Sequence, residues 1–301
     1  MNKLTLVVNA GRSGSTFLEG ILRANYAEVC YIAHEDIPVQ ISKPRKYNRA
    51  YSQERIHLIL KDPEILKYLK YWEKQLETKP VIETGWTAYH LCPVLEYYFK
   101  ERFQVIIMHR DPLSFAFSRA NMGNYHNNTF YDNAHEVSPF DEFSIFPEKK
   151  SQWHTMNHFE KCMFWWTVVY KEGLEFIQKK NLTPHLLVKS KDVFSFKETE
   201  SLLSFMGLNP EILKIKEVSR NELALFMRET FPVQEEWKEY IKHEDVLKFA
   251  QQLGEYNYVF DDVEKMSLKY KLPNGVISNL RFRFKYWKIK AKLKSYFCEY
   301  K

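Results

Sequence analysis

Residues 4–20, LTLVVNAGRSGSTFLEG, decide the fold. An apolar run leads into small polar residues, and a helical pattern starts near Ser15. A buried strand that feeds a tight loop and then a helix is a common way to hold a phosphate or sulfate. Gly11 and Gly14 permit a turn that keeps backbone N–H groups available. Ser13, Ser15 and Thr16 add hydroxyl donors, and Arg12 adds a planar, permanently charged fork. The stretch is not a Walker A loop, which needs G-x-x-x-x-G-K-[ST]. Gly11 and Gly14 are only three apart, and no Lys precedes Ser15 or Thr16, so a magnesium–nucleoside triphosphate fits poorly. Taken alone, the stretch also reads as a plain glycine turn with solvated serines.

Outward from this loop, short apolar runs alternate with longer helical ones. Strands are expected at 4–8, 28–32, 80–84, 104–109 and 185–189, and they look apolar on both faces, as in a parallel sheet covered on both sides. Helices are expected at 15–26, 62–78, 87–101, 112–121, 156–180 and 196–206. The alternation predicts an α/β domain of three layers, a mostly parallel central sheet flanked by helices. Residues 1–275 read as one such domain. Segment 122–152, rich in Asn, His, Tyr, Phe and acids, interrupts the pattern as an insertion, and a cover over an acceptor suits its composition.

Composition narrows the classes. The chain has 301 residues, 45% hydrophobic and 16% aromatic, enough for a sizeable core. The net charge of +6 misleads, because residues 276–301 hold eight Lys/Arg and one Glu. The remainder is close to neutral, which argues against nucleic acid as a partner. In that tail Phe282, Tyr286, Ile289, Leu293 and Phe297 recur at helical spacing, so a basic amphipathic helix is expected. Packing on the domain or a partner subunit is preferred for it over lying on an anionic membrane. No run is long enough for a bilayer span and no signal-peptide core is evident, so a cytoplasmic location is expected. Cys30, Cys92, Cys162 and Cys298 show no CxxC pairing and read as reduced thiols. The histidines at 126, 135, 154 and 158 lack metal-ligand spacing, and no metal is expected.

A second motif, MHRDPLSFAFSRAN (108–121), follows the fourth strand. Arg110 sits at the strand's carboxyl end, Pro112 suits a helix start, and Ser118 lies about two turns on. Carboxyl ends of parallel strands are where such sheets bind ligands.

The pair GRSGSTFL (11–18) and RDPLSFAFS (110–118) resembles the two motifs of sulfotransferases that use 3′-phosphoadenosine 5′-phosphosulfate (PAPS). The resemblance implies a P-loop-like sulfotransferase architecture with PAPS as co-substrate. It implies that Arg12, Ser13, Gly14, Ser15 and Thr16 hold the 5′-phosphosulfate, and that Arg110 and Ser118 hold the 3′-phosphate. The family often has Lys where Arg12 stands. LLVKSKDV (186–193) and ESLLSFMGL (200–208) are similar to later family segments, with Ser190 replacing an aromatic. VSRNELALFMRETF (218–231) is the counterpart chosen for the last cofactor loop, with Arg220 or Asn221 on phosphate.

Sulfuryl transfer needs a base at the acceptor and a cation at the leaving oxygen. Glu83, ending the third strand in PVIETGW, is the first candidate base. The resemblance agrees, since glycosaminoglycan-type members place a Glu there. Small-molecule members use a His two residues on, where this chain has Gly85. Thr84 replaces the usual companion Lys and leaves Arg12 to serve the leaving group. Glu83 also reads as a structural acid. His34, with Glu35 in YIAHED, is the second candidate base and a candidate acceptor contact, together with Trp86. A small-molecule hydroxyl or amine acceptor, as in secondary metabolism, is expected. A small-molecule kinase or a non-catalytic binding module of the same fold are the alternatives, and a homodimer stays open.

Overall fold

The computed structural model describes residues 1–120, 124–125, 136–179, 182–214 and 243–254. Arg220, Asn221, the tail 276–301, Cys298 and most of 122–135 lie outside the described residues.

Five strands form one sheet: β1 Leu4–Val8, β2 Tyr31–Ala33, β3 Val81–Glu83, β4 Phe103–His109 and β5 His185–Lys189. Their order is β2-β3-β1-β4-β5 and every pairing is parallel. β1 lies in the middle, with Leu4 opposite Val81 on one side and Phe103 on the other. The chain runs from β1 out to β2, returns to β3 beside β1, and then crosses to β4. The order therefore reverses at β1, and the crevice beyond its carboxyl end is where an open α/β sheet accepts a ligand.

Twelve helices are described: α1 Ser15–Tyr26, α2 Val39–Ser42, α3 Pro44–Tyr47, α4 Gln53–Leu60, α5 Pro63–Leu76, α6 Cys92–Phe99, α7 Pro112–Ala120, α8 Lys150–Trp153, α9 His158–Lys179, α10 Ser190–Phe194, α11 Thr199–Phe205 and α12 Glu244–Leu253. Strand residues alternate between two faces, and the core divides accordingly. Val7, Ile82, Ile106 and Met108 pack with Leu18, Leu22 and Tyr26 of α1 and Leu202 of α11. Leu4, Leu6, Val81, Val105 and Ile107 pack with Trp72 of α5, Leu95 of α6 and Trp165 of α9. The result is the expected three-layer α/β arrangement. Each fully buried Leu or Val contributes about 1.5–3 kcal/mol, so the central strand is held firmly and its loop starts from a fixed point.

Several boundaries differ from expectation for identifiable reasons. Val29 and Cys30 read as strand, but their N–H groups both bond to the Tyr26 carbonyl and close α1, so β2 begins at Tyr31. The helix expected over 87–101 is divided: Tyr89–Leu91 forms a 3-10 turn, and Pro93, near the start of α6, sets a fresh helix beginning at Cys92. β5 was expected to be apolar-covered on both faces, yet His185 and Leu187 are exposed, because β5 pairs only with β4 among the described residues. Residues 39–60, which carry no strong periodicity, form three short helices.

Within segment 122–152 the described part is packed. Val137 and Phe146 are buried, and Asp141 accepts from Arg45 Nε at 2.7 Å. Cys30, Cys92 and Cys162 are buried free thiols. No described helix is long and apolar enough to cross a membrane.

Candidate active site

The loop after β1 is set by backbone conformation. Gly11, Arg12 and Gly14 all have left-handed φ values, 70°, 51° and 95°. For Arg12 that conformation costs energy and is retained only where its surroundings enforce it. Asn9, buried directly after β1, supplies part of that enforcement. Its Nδ2 donates to the carbonyls of Val7 (2.9 Å) and Thr84 (3.1 Å), and its Oδ1 accepts from Gly11 N–H (2.8 Å). Gly14 precedes α1 without a capping side chain, so the first-turn N–H groups face the loop uncapped. Glycine is required at 14 on two counts. A Cβ there would meet the Phe194 ring at 2.6 Å, and the φ of 95° disfavours side chains.

Not every expected hydroxyl points at the loop's interior. Ser13 Oγ donates to the Gly11 carbonyl at 3.0 Å, so it secures the turn. Ser190 Oγ donates to the Ser13 carbonyl and ties α10 to the loop. Ser15 is buried and Thr16 exposed.

The two motifs meet in space. Arg12 Nε donates to Ser118 Oγ at 3.1 Å, and Arg110 Nη1 donates to the Arg12 carbonyl at 3.1 Å. The resemblance implied separate ends of a cofactor for Arg12 and for the Arg110/Ser118 pair, whereas here all three lie together. Asp111 Oδ1 accepts from Ser114 N–H at 2.7 Å and starts α7. Trp166 Nε1 donates to the Arg110 carbonyl at 2.8 Å. Local capping and a neighbouring helix thus fix where Arg110 and Ser118 stand.

At the next strand ends, β2 and β3 place Glu83, Thr84, His34, Glu35 and Asp36 side by side. Glu83 is wholly buried. Its Oε1 accepts from the N–H of Gly85 (2.5 Å) and Glu35 (2.9 Å), and its Oε2 from Asp36 N–H (3.2 Å). Burial, then the Asp36 carboxylate, push its carboxyl up to about 8 against these three N–H groups. Glu83 therefore stands at the expected strand end but serves as an internal clamp for the 34–36 turn, and no oxygen faces an open crevice. Gly85 is needed beside it: a Cβ there would lie 2.3 Å from the Glu35 backbone nitrogen.

His34 is placed differently. Its Nδ1 lies 2.8 Å from Thr84 Oγ1, while Thr84 Oγ1 lies 3.2 Å from the Ala33 carbonyl oxygen. The Thr84 hydroxyl has one proton for these two neighbours. Donated to Ala33, it leaves Thr84 accepting from His34 Nδ1–H with the ring's lone pair on Nε2, and donated to Nδ1 it leaves the ring N–H on Nε2. Glu19 Oε2 lies 3.6 Å from the same Nδ1. Thr84, read from sequence only as a missing Lys, is thus the group that orients His34.

Trp86 stacks edge-on against Trp165 with ring centroids 5.3 Å apart. Among the described residues no group of three or more His, Cys, Asp or Glu could hold a metal ion. Sequence reading missed Asn9, Phe194 and Arg119, and noted Ser190 only as the replacement of an aromatic. Arg119 had a signal, being adjacent to Ser118. Asn9 and Phe194 had none beyond their positions after β1 and β5.

Fold and site together define a parallel α/β protein with a loop of left-handed turns, leading into a helix start, at the point where its strand order reverses. No family model and no curated protein matches the chain. Solved structures similar to it include three sulfotransferases or sulfotransferase domains. A sulfotransferase domain from the curacin biosynthetic pathway shares 13% identity, over 91% of this chain and 99% of that one, with a TM-score of 0.43. A sulfotransferase from Alicyclobacillus acidocaldarius shares 13% over 86% and 98%, with a TM-score of 0.44. The sulfotransferase domain of the Synechococcus PCC 7002 olefin synthase shares 13% over 90% and 95%, with a TM-score of 0.41.

Proposed function

We propose that this protein is a sulfotransferase that moves a sulfuryl group from PAPS to a hydroxyl or amine of a small-molecule acceptor. The observation that carries the reading is the convergence of Arg12, Arg110 and Ser118 on a left-handed, Lys-free anion loop. Backbone N–H groups, two guanidinium groups and a serine hydroxyl suit a doubly phosphorylated ligand, and magnesium is not needed to complete the set. The donor, when bound, brings an activated sulfuryl group on a phosphate leaving group.

The residues divide the work. The loop amides from Ser13 to Thr16 and Arg12 bind the 5′ end, and Arg12 faces the charge that develops on leaving. Arg110 and Ser118 bind the 3′-phosphate. His34, held by Thr84, accepts the acceptor's proton. Glu83 fixes the 34–36 turn that carries His34. Glu35 and Trp86 line the acceptor side.

Calorimetric titration tests the reading. The protein should bind 3′-phosphoadenosine 5′-phosphate tightly, bind adenosine 5′-phosphate at least tenfold more weakly, and ignore magnesium. A preference for magnesium–ATP would favour a kinase instead. Arg110→Ala and Ser118→Ala should each weaken 3′-phosphoadenosine 5′-phosphate, by about 1.5–3 kcal/mol for the charged contact and about 1 kcal/mol for the hydroxyl. Adenosine 5′-phosphate should be little affected. Unchanged affinity in both variants would remove the 3′-phosphate assignment.

A further inference from the structure

Arg119 follows Ser118 on α7 and is 5% exposed. Its Nη2 donates to the Ala10 carbonyl at 2.6 Å, and its Nε has no hydrogen-bond partner among the described residues. The guanidinium carbon lies 4.1 Å from the Trp165 ring centroid and 5.1 Å from that of Trp86. Among the described residues no carboxylate pairs with it. Glu35 and Glu136 act on it only from beyond hydrogen-bond range, and burial is strong enough to lower its pKa to about 10. A cation withdrawn from water normally has a carboxylate or an equivalent counter-charge, and aromatic faces return only part of that loss.

Its location says what the counter-charge is. A Cβ on Gly11 would lie 2.3 Å from Arg119 Nη2, so the guanidinium is pressed against the first turn of the anion loop. The Ala10–Gly11 peptide is gripped from both ends, its carbonyl by Arg119 and its N–H by Asn9 Oδ1.

We propose that Arg119 is a positioning residue whose buried charge is balanced by the ligand: a multiply charged phosphate or phosphosulfate group seated in the loop between Gly11 and Thr16. The inference rests on reading that loop as an anion site. Arg119 acts through the Ala10 carbonyl and through its field. In the ligand-free protein its charge is an uncompensated cost, and anion binding relieves it.

The reading makes an unusual thermodynamic demand. Arg119→Gln should weaken 3′-phosphoadenosine 5′-phosphate about tenfold, the effect of one charge acting at ~10 Å through an effective dielectric of about 20. The ligand-free melting temperature should stay level or rise, while the ligand-induced increase shrinks. Arg119→Lys should recover most of the affinity. A Gln variant that melts lower yet binds 3′-phosphoadenosine 5′-phosphate as tightly as wild type overturns the proposal and makes Arg119 a packing residue. If the Gln variant fails to fold, the Lys variant decides, and a tenfold or greater loss of affinity in it overturns the proposal. So does a Lys variant as weak as Gln. Inorganic pyrophosphate, titrated in parallel, separates the two readings. Wild type that binds pyrophosphate but not 3′-phosphoadenosine 5′-phosphate loses the sulfotransferase assignment and still tests Arg119. Wild type that binds neither overturns both.

Discussion

His34→Gln is expected to lower kcat by about 10²- to 10⁴-fold, the usual contribution of a positioned general base, with the melting temperature and the affinity for 3′-phosphoadenosine 5′-phosphate unchanged. The expectation follows from how the ring is held. Thr84 Oγ1 lies 2.8 Å from His34 Nδ1 and fixes the imidazole at the strand end beside the loop. A neutral imidazole offers one basic ring nitrogen, and a glutamine amide in its place can take no proton. Thr84→Ala should show a smaller kcat loss, because the ring keeps its basicity and loses only its orientation. The measurement is turnover with labelled PAPS on any acceptor found by screening. Wild-type kcat in His34→Gln would exclude His34 as the base.

Glu83→Gln should act on the fold more than on the chemistry. Gln can still accept at Oε1 from Gly85 and Glu35, but its Nε2 would face Asp36 N–H, donor against donor. Leaving such buried groups unmatched costs about 1–3 kcal/mol, read as a lower melting temperature. A pH dependence accompanies it. The folded-state carboxyl keeps its proton up to about 8, whereas an unperturbed Glu releases it near 4.5. Between these values the folded chain binds more protons than the unfolded one, so this residue's contribution to stability falls as pH rises. Glu83→Gln should remove that decline. If the variant melts like wild type and loses a thousandfold in kcat, the base is Glu83 and His34 is not.

Other parts of the site were legible in sequence to differing degrees. The loop 11–16 announced itself because left-handed turns and helix starts select Gly and small polar residues, a local requirement that leaves a local trace. Arg110 and Ser118 were legible for the same reason, on a strand end followed by a Pro-initiated helix. Glu83 shows where the limit falls. Its position at a strand end follows from the apolar run before it, but its environment does not. Three N–H groups, two of them from residues almost fifty positions earlier, turn it inward, and no window of sequence contains them. Arg119 is the same case: one residue from a recognised motif, with its lack of a carboxylate partner among the described residues invisible until α7, α9 and the loop are packed.

The sequence by itself determined the alternating strands and helices, the parallel sheet and the loop at its centre. Hydrophobic periodicity and turn chemistry act between residues a few positions apart. Only the tertiary structure decided that Arg12 meets Ser118 across 106 residues, that Thr84 orients His34 and that Glu83 is sealed. Those outcomes depend on which strand ends lie side by side, and strand order is fixed by packing across the whole sheet.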